Sequence, residues 1–267
     1  MVLAGVVAVR HGVVPLVDAL LHPGAAWLSV VRRVGIVVAA LAGYWAYVRI
    51  VERRAVTELR VRPVPLVLGG VAGALMVGLP LALLFALGAY EVEQVRGPAA
   101  ALWGVAGLIG IAALLEELVY RALLFRVLEE AWGTWPALAV QALLFALMHL
   151  ENLPGAGLAT VLTMLASVTV LGLVWGGLFV LTRNLWTSVA HHAAWNFTIL
   201  LSGVPLSGID DWRALAPLTS RYAGPDWLTG GVFGPESSWL VIASTVLVLV
   251  GLLRTLTTRS APAIPAR

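Results

Sequence analysis

Long apolar runs separated by short polar connectors set the character of this chain. Uninterrupted apolar stretches fall at roughly 34–51, 65–90, 98–120, 136–150, 157–182, 185–204 and 238–255. About 20 mostly apolar residues are enough to cross a bilayer as a helix. Residues 1–31 are also apolar but carry Arg10, His11, Asp18 and His22, so an interfacial helix and an imperfect span both remain open there. No internal repeat and no low-complexity segment interrupts the pattern. The expectation is an all-α, polytopic transmembrane helical bundle of about seven or eight spans, forming a single domain over residues 1–267.

Composition agrees. Of the 267 residues 12% are charged, about half of what a soluble domain carries, and the mean hydropathy is +0.94. All 17 basic residues are Arg, and the formal charge of +3 is small. That balance fits loop bias in a membrane protein, so no nucleic-acid partner is expected. With no Cys, disulfides, thiolate metal sites and a cysteine nucleophile are excluded. The first residues lack a basic region ahead of their apolar stretch, so a cleaved signal peptide is not expected.

The connectors suggest an orientation. Arg53, Arg54, Arg60 and Arg62 form the densest basic cluster, which places segment 52–64 on the cytoplasmic side. Alternation then puts Arg121, Arg126, Arg183, Arg254, Arg259 and Arg267 on the same side. Segment 205–237, with Asp210, Asp211, Asp226 and Glu236 against Arg213 and Arg221, falls outside. Arg32 and Arg33 do not fit this scheme. The outer segment is rich in Trp, Gly and Pro; an interfacial loop anchored by Trp212, Trp227 and Trp239 is the simpler reading, a cap over a site or a surface for a partner the others.

Three polar constellations interrupt the apolar runs. Glu116 and Glu117 close one run and are followed by Arg121. Charges inside the hydrocarbon cost at least a few kcal/mol and are usually retained for function. Glu117 and Arg121, four apart, share a helix face and can pair, whereas Glu116 points about 100° away. Either Glu116 is left to face a cavity, or both glutamates mark a helix end at the membrane surface. Phe145 and His149 lie on the next run. Gly133, Thr134 and Pro136 mark a turn between the two. Glu116 lies 17 residues before Gly133 and His149 lies 16 after it. A helical hairpin would set them at similar depth, making His149 the natural neighbour of Glu116. His192 and Asn196, four apart, share a face of a third run. Imidazole and carboxamide both donate hydrogen bonds, which suits an oxyanion site; polar glue between helices is the alternative.

Together, Glu-Glu-x-x-x-Arg at 116–121, Phe-x-x-x-His at 145–149 and His-x-x-x-Asn at 192–196 resemble the three ordered motifs of the CAAX prenyl endopeptidase and bacteriocin-processing (CPBP, or Abi) family of intramembrane proteases. They occupy residues 116–196, within a motif core of 98–204. No motif position departs from the pattern. The resemblance implies an intramembrane endopeptidase acting on membrane-associated peptide or protein substrates, prenylated CAAX-type proteins being the class the family name suggests. By position, Glu116 would be the base that activates a water, His149 would help to hold and polarise it, and His192 with Asn196 would form the oxyanion hole. Glu117, Arg121 and Phe145 would be supporting residues.

Chemistry is consistent with that assignment. Carboxylates shielded from bulk water are stronger bases, and water attack on an amide needs one. Ser188 and Ser202 lack an obvious neighbouring base, so a covalent route is not expected. An older view of the family makes it a metalloprotease, with zinc on Glu116, His149 and His192. Three ligands and a water are an acceptable zinc geometry, but the His-Glu-x-x-His pattern is absent, and no cofactor is the expectation. The expected location is an integral position in a membrane, that of the bacterial plasma membrane, in contact with lipid. Two other functions compete: a non-catalytic scaffold or bacteriocin-immunity protein with the same polar cluster, and a proton-coupled carrier. A carrier calls for broken helices in two matching halves, and the chain has no such symmetry.

Overall fold

The computed structural model describes residues 1–22 and 24–258. Arg259 and Arg267, assigned to the cytoplasmic side above, lie outside the described residues. Eight main helices follow one another: α1 (Val2–Leu21), α2 (Ala25–Ile50), α3 (Pro63–Ala86), α4 (Ala100–Trp132), α5 (Thr134–Met148), α6 (Leu158–Thr182), α7 (Leu185–Leu201) and α8 (Trp239–Thr258). Among the described residues, seven helices are long and apolar enough to cross a membrane, α1 included; α7 is shorter. The chain is thus an integral membrane protein built as a polytopic helical bundle. The ambiguous N-terminal stretch resolves into helix throughout Val2–Leu21, ending where His22 takes a left-handed φ of 42°.

Boundaries differ from the apolar runs for local reasons. Helix α2 starts before the run at 34–51 and takes in Arg32 and Arg33. Helix α4 does not stop near residue 120. It widens into a π-helical stretch at Leu118–Phe125 and continues to Trp132, so Glu116 and Glu117 lie inside a helix and not at its end. Gly133, at φ 82°, makes the break before α5. The run expected at 65–90 ends early, because Tyr90–Val95 forms strand β1, paired antiparallel with β2 (Leu218–Tyr222). This two-stranded ribbon was not legible in the apolar pattern.

The closest helix pair is α3 with α7. A Cβ at Gly69 would stand 2.5 Å from the Thr187 carbonyl oxygen, and one at Gly73 2.1 Å from that of His191. Only glycine permits that approach, the small-residue packing typical of membrane helices. It sets the depth and rotation of α7, and with it His192. Helix α6 packs on α5, α7 and α8, and Gln141 Nε2 of α5 donates to the Gly172 carbonyl at 3.0 Å. The buried core includes Phe145, Trp175, Trp195 and Phe233.

Two connectors are fastened down. In 52–62, Glu58 is bound by Arg54 at 2.6 Å, by Arg126 at 3.1 Å and by the Tyr44 hydroxyl. Segment 205–237 is ordered. It folds into short helical turns and β2, and Leu206, Ser207, Ile209, Trp212 and Glu236 line an internal cavity. Trp227 and Trp239 are exposed and touch each other edge to face. The segment lines the cavity and is termed the cap, while exposed Trp227 and Trp239 keep the form of interfacial anchors.

Candidate active site

Helix α4 delivers the two glutamates to different surroundings. Glu117 and Arg121 are completely buried, with Nη1 3.0 Å from Oε1. The pair is close without hydrogen-bond alignment, and Arg121 Nη2 instead donates to the Gly172 carbonyl at 3.4 Å. The guanidinium also lies over the Phe145 ring, 4.5 Å from its centroid. A cation on an aromatic face is stabilised further when both are dry. Glu116, one residue earlier, leaves 31% of its side chain accessible. The rotation of about 100° between neighbours separates a paired carboxylate from a reachable one.

His192 comes to lie between the two carboxylates. Its Nδ1 is 3.0 Å from Glu117 Oε1, and its Nε2 is 3.8 Å from Glu116 Oε2. A carboxylate only accepts, so Nδ1 carries the proton and donates. Trp175 of α6 stacks on the imidazole, with centroids 3.9 Å apart and planes tilted by 17°. The same indole donates from Nε1 to His191 Nδ1 at 2.9 Å. His191 thus faces a structural partner and His192 faces the glutamates.

His149 terminates α5, where the helix tightens into a 3₁₀ turn at His149–Asn152. Its Nδ1 donates to the Phe145 carbonyl at 2.9 Å, which frees Nε2 as the other functional nitrogen. Phe145 packs on the imidazole at 4.8 Å, and Phe233 of the cap closes in edge-on at 6.4 Å. One turn beyond His192, Asn196 has a buried Oδ1 with no hydrogen-bond partner among the described residues.

Glu116, His149, His192 and Asn196 line one cavity of ≈ 80 Å³, together with Phe145, Asn152, Trp175, Ser207 and Glu236. The hairpin argument made His149 the neighbour of Glu116. The structure puts both on the cavity wall, but the imidazole within ion-pair reach of Glu116 is that of His192. The reason is the tight α3–α7 packing, which brings His192 deep between the glutamates. Glu117 is also more than a partner for Arg121, since it orients His192. Among the described residues, no three His, Asp or Glu side chains are grouped to hold a metal ion. His149 and His192 each commit Nδ1, to the Phe145 carbonyl and to Glu117, and keep Nε2 for other contacts.

Sequence reasoning missed Trp175, Ser207 and Glu236. Trp175 is one apolar position within α6, and nothing in its spacing marks it. Glu236 is one of several acids in 205–237, where its charge served only to assign a side.

Residues 98–198 match the family model described as Rce1-like, type II CAAX prenyl endopeptidase. The Rce1-like segment holds Glu116, Glu117, Arg121, Phe145, His149, His192 and Asn196, whereas the whole cap lies outside it. Comparison with curated proteins and with solved structures returned no match.

Proposed function

We propose that this protein is an intramembrane endopeptidase that hydrolyses a peptide bond with a water activated by Glu116. The observation that carries the reading is the meeting of Glu116, His149, His192 and Asn196, from three helices, around one small cavity. The Rce1-like match over 98–198 supports the same reaction class.

In this mechanism Glu116 takes a proton from water as the oxygen attacks the scissile carbonyl carbon. His149, fixed through Nδ1, holds that water with Nε2. The negative charge that forms on the carbonyl oxygen is met by the Asn196 carboxamide and, when the ring is doubly protonated, by His192 Nε2–H. Glu117 supports the charge on His192 from behind. Collapse of the tetrahedral intermediate breaks the C–N bond, and Glu116 returns its proton to the leaving nitrogen. The step closes without a cofactor. A base of this kind contributes about 10²–10⁴-fold to rate.

An apolar groove of ≈ 800 Å³ runs beside the site, lined by Val119, Tyr120, Leu124, Leu147 and Met148 among others. It supports a substrate with a lipid chain, as in prenylated CAAX-type proteins, in a bacterial plasma membrane. The test is cleavage of farnesylated and unmodified peptides by purified protein in liposomes. Wild type is expected to cleave, and Glu116→Gln and His149→Ala to remain folded and inserted without cleaving. Retained cleavage in both variants would sink the proposal. Absence of cleavage in wild type, with thermal melting shifted by both variants, would favour the scaffold reading.

A further inference from the structure

The cavity of ≈ 80 Å³ has room for a few waters and not for a peptide. A substrate of the class proposed above therefore has to move a wall. Four elements of the wall are membrane helices packed by buried aromatics; the fifth is the cap, which holds Leu206, Ser207, Ile209 and Trp212 over the opening.

The cap is braced from within and tied to the bundle at two points, Trp195 and Asn152. Ser207 donates twice to Glu236 Oε2, from its backbone N–H and from its hydroxyl, both at 2.7 Å. Trp195 Nε1 of α7 donates to Glu236 Oε1 at 3.3 Å. Asn152 Nδ2, next to the His149 turn, donates to the Ser207 carbonyl at 2.9 Å. Glu236 is 3% exposed and has no Arg partner among the described residues. Ser207 sits at φ 51°, a conformation that costs a non-glycine residue energy and that persists only where surroundings enforce it.

We propose that Glu236 is a positioning residue of the site: it braces the cap internally through Ser207, ties it to α7 through Trp195 and so closes the chamber around the reacting water, and this tie must release to admit substrate. Dry burial of a carboxylate held by neutral donors alone is only partly compensated, and the strain at Ser207 pulls the same way. Burial pushes the Glu236 carboxyl up from its ordinary value, with the Ser207 donors and His149 opposing.

This inference rests on the peptidase reading for its kinetic arm. A closed site lowers apparent affinity by the fraction of molecules that are open. Glu236→Ala is therefore expected to lower KM and kcat together, as the cap opens more readily but no longer excludes water. Direct contact between Glu236 and substrate would raise KM, and a purely structural role would lower kcat with KM unchanged; either result overturns the proposal. Ser207→Ala, which removes one bond that braces Glu236 within the cap, is expected to shift both constants the same way by less, and it serves where Glu236→Ala does not insert. A second arm needs no substrate. Hydrogen exchange in liposomes is expected to quicken roughly tenfold or more at the Ser207 and Gly208 amides in Glu236→Ala, with α3 and α7 unaltered. Unchanged cap exchange overturns the tie even if the protein proves to be no peptidase.

Discussion

Two buried carboxylates illustrate two ways of keeping charge out of water. Glu117, in the helical core, shares its surroundings with Arg121 and His192, and nothing about it needs to move. Glu236, in the cap, is nearly as buried but is held by a serine and an indole. The first arrangement compensates charge with charge and freezes the geometry of the site. The second leaves charge under-compensated and ties down a segment that the substrate must displace. A rigid wall and a releasable wall enclose the same cavity.

The sharpest way to break this contrast is to make Glu117 resemble Glu236. Arg121→Met removes the cation and leaves a buried carboxylate with His192 alone, which is expected to cost about 3–5 kcal/mol. Adding Glu117→Gln should recover most of that loss, because removing both charges is often nearly neutral. Thermal melting of the two variants in detergent checks it, and equal melting of both would show that the pair is not charge-coupled.

Asn196→Ala asks whether the rigid wall carries the chemistry. It is expected to lower kcat by about 10²-fold or more, as losing one oxyanion donor does, with KM and cap exchange unchanged in single-turnover and exchange measurements. Gly73→Ala tests what sets the wall's position. Its Cβ would stand 2.1 Å from the His191 carbonyl oxygen, so α7 has to shift, at an expected cost of about 1–3 kcal/mol in melting and with a fall in kcat.

Glu236→Gln gives the smallest effect and a sign specific to the cap. The Glu236 carboxyl is raised by burial, so the folded state holds its proton more tightly than the unfolded chain. Ionisation therefore counts against the fold at neutral pH, and the handicap fades as pH falls through the raised value toward the unfolded one. The Gln variant should melt above wild type near neutral pH, and the gap should narrow steadily on acidification and vanish only below the ordinary carboxyl range of about pH 4. A gap that widens in acid contradicts the under-compensated carboxylate.

How much of this was readable beforehand follows from periodicity. Helix geometry turns the spacing of Glu117 and Arg121 into proximity, and it separates Glu116 from Glu117 without further information. The apolar runs located the helices, though not the extension of α4 past its π-helical stretch, because Arg126 and Glu129 there are covered by ion pairs to Glu52 and Arg183 that no apolar period reports. The contact of His192 with Glu117 depends on Gly69 and Gly73 of a different helix, and pairwise spacing contains no such third party. Glu236 and Ser207 belong to irregular backbone, where no period converts sequence distance into position. Their partnership across the cap appears only once β2 and the turns around it have folded.

The size of the closed chamber has a consequence for inhibition. A tetrahedral mimic compact enough to stay inside it would become trapped when the cap returns. Its association would be slow and independent of its size up to that limit, and its residence time would be set by the cap and not by its own contacts. Larger compounds would bind only the open form and dissociate quickly, so potency measured at short and long preincubation would rank the two classes in opposite order.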